Sequence, residues 1–280
     1  MPTTKALVVR IGNYAKPQHN LPGLERDTAA FIKVLQRFGI TDIESIVDDR
    51  ADKAGILSGL NRLVDGAQDG DVRIFYYTGH GIQIQRSASQ KPFEAIVPYE
   101  ASTSVLIPDM WMKQFLQDRL PEKCSFYGIY DCCNSGELQK KFSLILNPED
   151  GIVRRKEISW TEIDHDGRPE LMPVDPEMDG ERVFVKAFVE DSHLSNSVHF
   201  GAAEPHLPAL VIPMELNGEL IQRSVFTRAL ELSVKPGMTV SEVETKVSEE
   251  QAKLTKRHTP QLATSTGNLH RKFFSVLLNT

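Results

Sequence analysis

Two short stretches carry side chains whose types and spacing could do covalent chemistry. Cys133 lies in Tyr130-Asp131-Cys132-Cys133-Asn134-Ser135-Gly136, which follows Ser125-Phe126-Tyr127-Gly128-Ile129, a short aromatic and β-branched run that reads as a buried strand. A second strand-like run, Val72-Arg73-Ile74-Phe75-Tyr76-Tyr77, breaks into Thr78-Gly79-His80-Gly81, where the flanking glycines let the backbone turn sharply and expose the imidazole. The carboxyl ends of parallel strands are where open α/β sheets bind ligands. If the two strands are neighbours, thiol and imidazole meet there. A nearby histidine lowers the thiol pKa, takes its proton and can return one to a leaving amine. Cys133 is therefore the expected nucleophile and His80 its acid/base. The backbone N–H groups of Gly81 and Cys133 are the expected oxyanion donors, and no third carboxylate is required. Cys132 reads as a small packing residue.

The elements that must position this pair form a regular alternation. Lys5–Ile11 reads as a first strand ending at Gly12-Asn13. Asp27–Phe38 has helical apolar spacing closed by Gly39, Glu44–Val47 a second strand, and Lys53–Val64 a second helix. This β-α-β-α order, followed by the His80 strand, predicts a parallel sheet covered on both faces. A helix is expected from about Asp109 to Leu120. Beyond Gly136 the texture changes: residues 146–195 are rich in Pro, Asp, Glu and Gly and read as a long exposed insertion. Strands resume at Ser197–Glu204 and Ala209–Met214. Helices are expected over Ser224–Leu232, capped by Ser224, and Thr239–Leu254, capped by Thr239 or Ser241, then strand material at Pro260–Ala263 and Phe273–Leu277.

Composition narrows the class. The chain of 280 residues is 40% apolar and 25% charged with a net charge of −6, an ordinary globular profile that gives no support to nucleic-acid or anionic-membrane binding. No apolar stretch has the length of a membrane span, and Met1–Lys5 shows no signal-peptide core. Three cysteines, Cys124, Cys132 and Cys133, make no disulfide framework, so a reducing cytoplasm is expected. A nucleotide-binding α/β protein would want a glycine-rich phosphate loop after the first strand, which Gly12-Asn13-Tyr14 does not supply.

Tyr77-Thr78-Gly79-His80-Gly81 resembles the Tyr-Ser-Gly-His-Gly signature of metacaspases, and Asp131-Cys132-Cys133-Asn134-Ser135-Gly136 resembles their Asp-Ser/Cys-Cys-His-Ser-Gly. The separation of 53 residues between His80 and Cys133 agrees with that of caspase-type peptidases. Glu94-Ala95-Ile96-Val97-Pro98 is similar to a further family stretch, with Phe93 in place of its first Asp. The chain is identified as a caspase-fold cysteine peptidase of the metacaspase or bacterial orthocaspase kind. The resemblance implies the caspase-haemoglobinase fold, a mostly parallel six-stranded sheet with helices on both faces. It also implies a division into a large-subunit-like region (1–145) with the dyad, a processing linker (146–195) and a small-subunit-like region (196–280) completing the same domain.

Leu21-Pro22-Gly23-Leu24-Glu25-Arg26-Asp27 resembles the family's Leu-x-Gly-Cys-x-Asn-Asp and adds Asp27 to Asp131 as acids of one substrate pocket, with Thr78 and Leu24 at the family's Ser and Cys positions. Two carboxylates select a basic P1 side chain, Arg ahead of Lys for its bidentate fork. Asp27 also suits the start of a helix. Arg154, Arg155 and Lys156 are then candidate processing positions within the exposed insertion, cut by the enzyme itself or by an upstream protease, which makes the chain a zymogen. Expected partners are protein and peptide substrates with a basic P1 and an activating protease or regulator, with neither nucleic acid nor membrane, for a monomer. No cofactor is expected. Family members are activated by Ca²⁺, but of the matching positions only Glu100 and Asp109 are acidic and Lys140 stands where another acid belongs, so the site looks incomplete; Glu162–Gly167 lacks the regular spacing of a calcium loop. A role in bacterial stress, cell-death or defence signalling follows by analogy alone. The alternative is a catalytically silent pseudo-protease acting as a binding or regulatory module.

Overall fold

In a computed structural model, the structure describes residues 2–84, 93–132, 154–156, 158, 161–166, 196–203, 209–255 and 260–275. Strand β1 (Thr4–Arg10) pairs in parallel with β2 (Ile43–Val47) on one side and with β3 (Val72–Thr78) on the other. Strand β7 (Ser125–Asp131) continues the parallel set beside β3, β9 (Ser197–Gly201) lies parallel to β7, and β12 (Gln261–Thr264) closes the edge antiparallel. The order β12-β9-β7-β3-β1-β2 gives the mostly parallel six-stranded sheet expected from the alternation of elements.

Both faces of this sheet are buried because its strands carry apolar side chains at successive positions. Ala6 and Val8 face one core while Leu7 and Val9 face the other, all at most 2% exposed. The first core is covered by α1 (Leu24–Arg37), α4 (Val225–Ser233) and α5 (Val240–Leu254), which contribute Phe31, Phe226, Leu230 and Val243. The second is covered by α2 (Lys53–Val64) and α3 (Asp109–Arg119), through Ile56, Leu60, Met112 and Leu116. Each such side chain contributes about 1.5–3 kcal/mol by leaving water. The helix starts follow their sequence signals. Ser224 caps α4, and Thr239 with Glu242 forms a capping box on α5.

Three features depart from the sequence reading. Strand β4 (Gly81–Ile84) turns away from the main sheet and pairs antiparallel with β5 (Phe93–Ile96), which pairs with β6 (Ile107–Pro108) in a small separate sheet. Leu210–Leu216 (β10) does not join the main sheet either. It forms a hairpin with β11 (Glu219–Ser224) about Asn217 and Gly218, whose φ of 54° and 82° suit a tight Asn-Gly turn, and β8 (Arg154–Arg155) adds to its other edge. Phe273 and Phe274, expected in a last strand, lie in a turn and pack by ring edges on Tyr127 instead. An apolar pair at a turn satisfies the same core as a strand would, so sequence alone could not separate the two.

Candidate active site

The register of β3 and β7 places Thr78 beside Asp131, and His80 and Cys133 each follow two residues beyond that pair. The expected nucleophile Cys133 lies outside the described residues, together with its oxyanion N–H. Cys132, immediately before it, is 4% exposed, and burial pushes its thiol well above the ordinary value, as fits an inert packing thiol.

His80 is held from both sides of its backbone. Its N–H donates to the Tyr14 hydroxyl at 2.6 Å, and the Tyr77 hydroxyl reaches its carbonyl at 2.7 Å and that of Val97 at 3.0 Å. Gly79 is required between them, because a Cβ there would stand 2.7 Å from the Tyr77 hydroxyl oxygen and 2.9 Å from that of Tyr14. The imidazole Nε2 lies 2.8 Å from the His19 carbonyl oxygen, which can only accept, so Nε2 carries the proton and Nδ1 is left as the base. Nδ1 has no hydrogen bond among the described residues. Burial is the main cause that lowers the His80 pKa, to about 3, against the raising effect of the His19 and Lys156 carbonyls, so the ring is neutral at neutral pH. Neither His19 nor the two tyrosines were singled out from sequence. His19 acts through its main chain, which no residue type can signal.

Beside the histidine lies a fully buried polar pocket. Asp131 Oδ1 accepts from Ser224 Oγ at 2.8 Å, and Oδ2 accepts from Thr227 Oγ1 at 2.6 Å, with Thr78 Oγ1 at 3.3 Å. Tyr76 extends the chain of hydroxyls, 2.7 Å from Thr227 Oγ1. Asp27 stands on the first turn of α1, 0% exposed. Its Oδ1 accepts from Arg223 Nε at 2.7 Å and its Oδ2 from the Ser224 N–H at 2.9 Å. Burial is the main cause that raises the Asp27 carboxyl, to about 6, while the cations of Lys156 and Arg223 pull it back. Leu24 is fully buried in the second core. Arg223, Ser224 and Thr227 were missed as site residues, because capping already accounts for Ser224 and Thr227 locally and Arg223 looks like an ordinary strand cation.

The expectation of an exposed run at Arg154–Lys156 is corrected at Lys156. Arg154 and Arg155 are half-buried, but Lys156 is 0% exposed, with Nζ 2.6 Å from Asp131 Oδ2 and 2.8 Å from Thr78 Oγ1. Its backbone is equally engaged: its N–H donates to the Ala209 carbonyl and its carbonyl accepts from the Gly81 N–H, each at 3.0 Å. The Ile158 N–H then donates to the Gly81 carbonyl at 3.2 Å. An amphipathic lysine can be buried only where its ammonium is paired, and Asp131, itself fully buried, supplies the partner. Arg154 and Arg155 line a neighbouring cavity of about 350 Å³ together with His19, His80 and Glu162.

The acids considered for calcium have other roles here. Both Glu100 oxygens lie 3.3 Å from the Lys53 N–H at the start of α2, and one Asp109 oxygen accepts from the Met110 N–H. Among the described residues, no three acidic, His or Cys side chains gather to hold a metal. No described helix is long and apolar enough to cross a membrane.

The family model of the metacaspase peptidase C14 domain matches residues 4–140. Metacaspase-9 of Arabidopsis thaliana is 38% identical over 151 residues, covering 49% of this chain and 45% of that protein. Metacaspase-2 of Trypanosoma brucei brucei is 30% identical over 148 residues, covering 49% and 42%. The chain thus spans less than half the length of these relatives. Among solved structures, protein GSU0716 from Geobacter sulfurreducens superposes with a TM-score of 0.68 over 99% of this chain and 100% of that one, at 14% identity, which shows a shared fold. Residues 4–140 of this chain, which include the His80 strand and β7, are thus similar to the metacaspase peptidase C14 domain.

Proposed function

We propose that this chain is a cysteine endopeptidase cleaving after basic residues through Cys133 and His80, and that it holds its own Lys156 in the substrate position. One observation carries the reading. Arg154 and Arg155 pair with β10, and Lys156 directly after them sets its side chain in the acidic pocket and its own carbonyl on the Gly81 N–H. A P1 residue on its way to hydrolysis needs these same contacts, and an oxyanion donor must aim at the carbonyl that will gain charge. His80 Nδ1 takes the Cys133 thiol proton as sulfur attacks the P1 carbonyl carbon. The Gly81 N–H holds the oxyanion, and His80 returns the proton to the departing amine as the C–N bond breaks. Water then hydrolyses the thioester to free acid and thiol, with the neutral imidazole again as base.

Held in this way, Lys156 excludes other substrates, and the chain is a zymogen until the bond after Lys156 is cut. Burial of the lysine makes its own active site the first candidate to cut there, ahead of a separate protease. The test uses fluorogenic peptides ending in Lys, Arg or Asp, together with the mass of the chain after incubation. Wild type is expected to turn over the basic peptides and to yield a fragment ending at Lys156, and Cys133→Ala to do neither. Cleavage after Asp, or activity retained in Cys133→Ala, sinks the proposal. Silence on every peptide, with the chain cut or uncut, returns the protein to the pseudo-protease reading.

A further inference from the structure

The pocket floor holds two carboxylates, but they are not equally open. Asp27 has each oxygen engaged, Oδ1 by Arg223 Nε at 2.7 Å and Oδ2 by the Ser224 N–H at 2.9 Å, and Arg223 is itself anchored through Nη2 to Glu231 at 2.9 Å. Asp131 has Oδ1 on Ser224 Oγ. What reaches the incoming side chain is Asp131 Oδ2, 2.6 Å from the Lys156 ammonium, and the Thr78 hydroxyl oxygen at 2.8 Å. We propose that Arg223 makes this a lysine pocket: by clamping Asp27 it leaves a single charged acceptor, which suits an ammonium and cannot receive both arms of a guanidinium.

The argument is one of donors and acceptors, and it rests on the pocket assignment made above. An ammonium is a compact point charge with three rotatable donors, whereas a guanidinium carries five N–H groups in a rigid plane and gains its advantage only against two parallel acceptors. Seated here, an arginine would bury several donors without partners and bring its charge toward that of Arg223, and buried unpaired donors are costly. Two open carboxylates would rank Arg above Lys; with Asp27 clamped the order reverses. Arg223 acts through Asp27 and is a positioning residue.

The test uses the full chain carrying Lys156→Ala, so that the internal side chain no longer fills the pocket, and peptide pairs differing only in Lys or Arg at P1. The readout is the ratio of the two kcat/KM values, in which the fraction of folded enzyme cancels. We expect at least tenfold preference for Lys, collapsing toward one when Arg223→Gln is added, and partly restored by Arg223→Lys, which keeps a cation on Asp27. A parent that cleaves after Arg as readily as after Lys, or a ratio unmoved by Arg223→Gln and Arg223→Lys alike, overturns the proposal. The same peptides, fluorescently labelled, are titrated against the Cys133→Ala/Lys156→Ala chain by anisotropy. Tenfold tighter binding of the Lys peptide supports the inference even if no variant turns over, a result that would count against the peptidase reading alone. Equal Kd values overturn the inference while leaving a basic pocket, and no binding of either peptide overturns both.

Discussion

The two halves of the molecule build one pocket by different means. The half up to Cys132 delivers its functional groups from the ends of parallel strands: Thr78 and Asp131 sit side by side in register, and His80 follows directly. The half after Asn196 delivers Arg223, Ser224 and Thr227 from a hairpin and the helix start that follows it, and each of these residues donates to a carboxylate already placed by the first half. Asp131 thus comes from a strand end and Asp27 from the first turn of α1, while the hairpin and the helix start after it supply the hydrogen bonds that make the two buried acids tolerable. The metacaspase family model covers only the first of these halves. The comparison teaches that His80, Thr78 and Asp131 are placed by strand geometry, whereas the groups that support the two acids are drawn from a hairpin and a helix start.

The largest test of this division is Asp131→Asn against Ser224→Ala. Asp131→Asn strands the Lys156 ammonium with no charged partner at 0% exposure, and breaking a buried pair from one side costs about 3–5 kcal/mol. Turnover of basic peptides should fall by about 100-fold or more, since the lost contact is a charged one in a buried pocket. Ser224→Ala removes a neutral donor from Asp131 and a helix cap, worth about 1–2 kcal/mol together, and activity should stay within roughly tenfold. Peptide kinetics and urea unfolding on the same samples check both. Equal losses in the two variants would break the distinction.

The same division explains what could be read from residues alone. His80 between two glycines at a strand end, and Asp131 before a cysteine pair, are odd choices for strand termini, so their types point to chemistry. Ser224 and Thr227 are ordinary at a helix start, and their local role exhausts the signal they carry. The sheet was legible because Ala6–Val9 and Ile74–Tyr77 are apolar at successive positions, which only a strand buried on both faces needs. The β10–β11 hairpin was not, since its partly exposed strands lack that pattern, and the Asn217-Gly218 turn between them was the cue that could have revealed it. Lys156 was unreadable for a different reason. A lysine in a polar insertion looks solvated, and only the fold reveals that an acid lies in reach.

The joint between the halves is sharpened by Gly23, just ahead of α1. Its φ is 92°, and a Cβ there would stand 2.2 Å from the Gln222 carbonyl oxygen, so only glycine lets β11 come close enough for Arg223 and Ser224 to reach Asp27. Gly23→Ala is expected to cost about 2–4 kcal/mol from the left-handed backbone and the overlap together, and to weaken peptide cleavage because the hairpin must move. Gly39→Ala is the control. It has φ of 76° but open space around its Cβ, so only the backbone part remains, about 1–2 kcal/mol with activity kept. Thermal unfolding and peptide turnover of the pair measure the difference. If both cost the same, the close approach is not what joins the halves.

The smallest effect is invisible at neutral pH and concerns one buried histidine from each half. Burial lowers both His80 on the β3 side and His199 on β9 to about 3, and His199 lies flat against Tyr130 with ring planes 7° apart. Unfolded, each takes a proton near 6.5, so the unfolded state binds more protons and stability is lost as pH falls from about 6.5 toward 3, by up to about 1.4 kcal/mol per pH unit for each. Asp27, raised to about 6, has the opposite sign: its folded form takes up a proton before the unfolded one does, which offsets one histidine between about 6 and 4. His199→Phe keeps an aromatic ring between Tyr130 and Phe126 and removes one acid-sensitive group without touching the pocket. Its stability at pH 7.5 and its turnover should stay near wild type, while the midpoint of acid unfolding, followed by far-UV circular dichroism, moves to lower pH. His80→Phe should shift the midpoint in the same direction and abolish turnover, so the two variants separate a histidine that only pays for its burial from one whose neutral ring the chemistry uses.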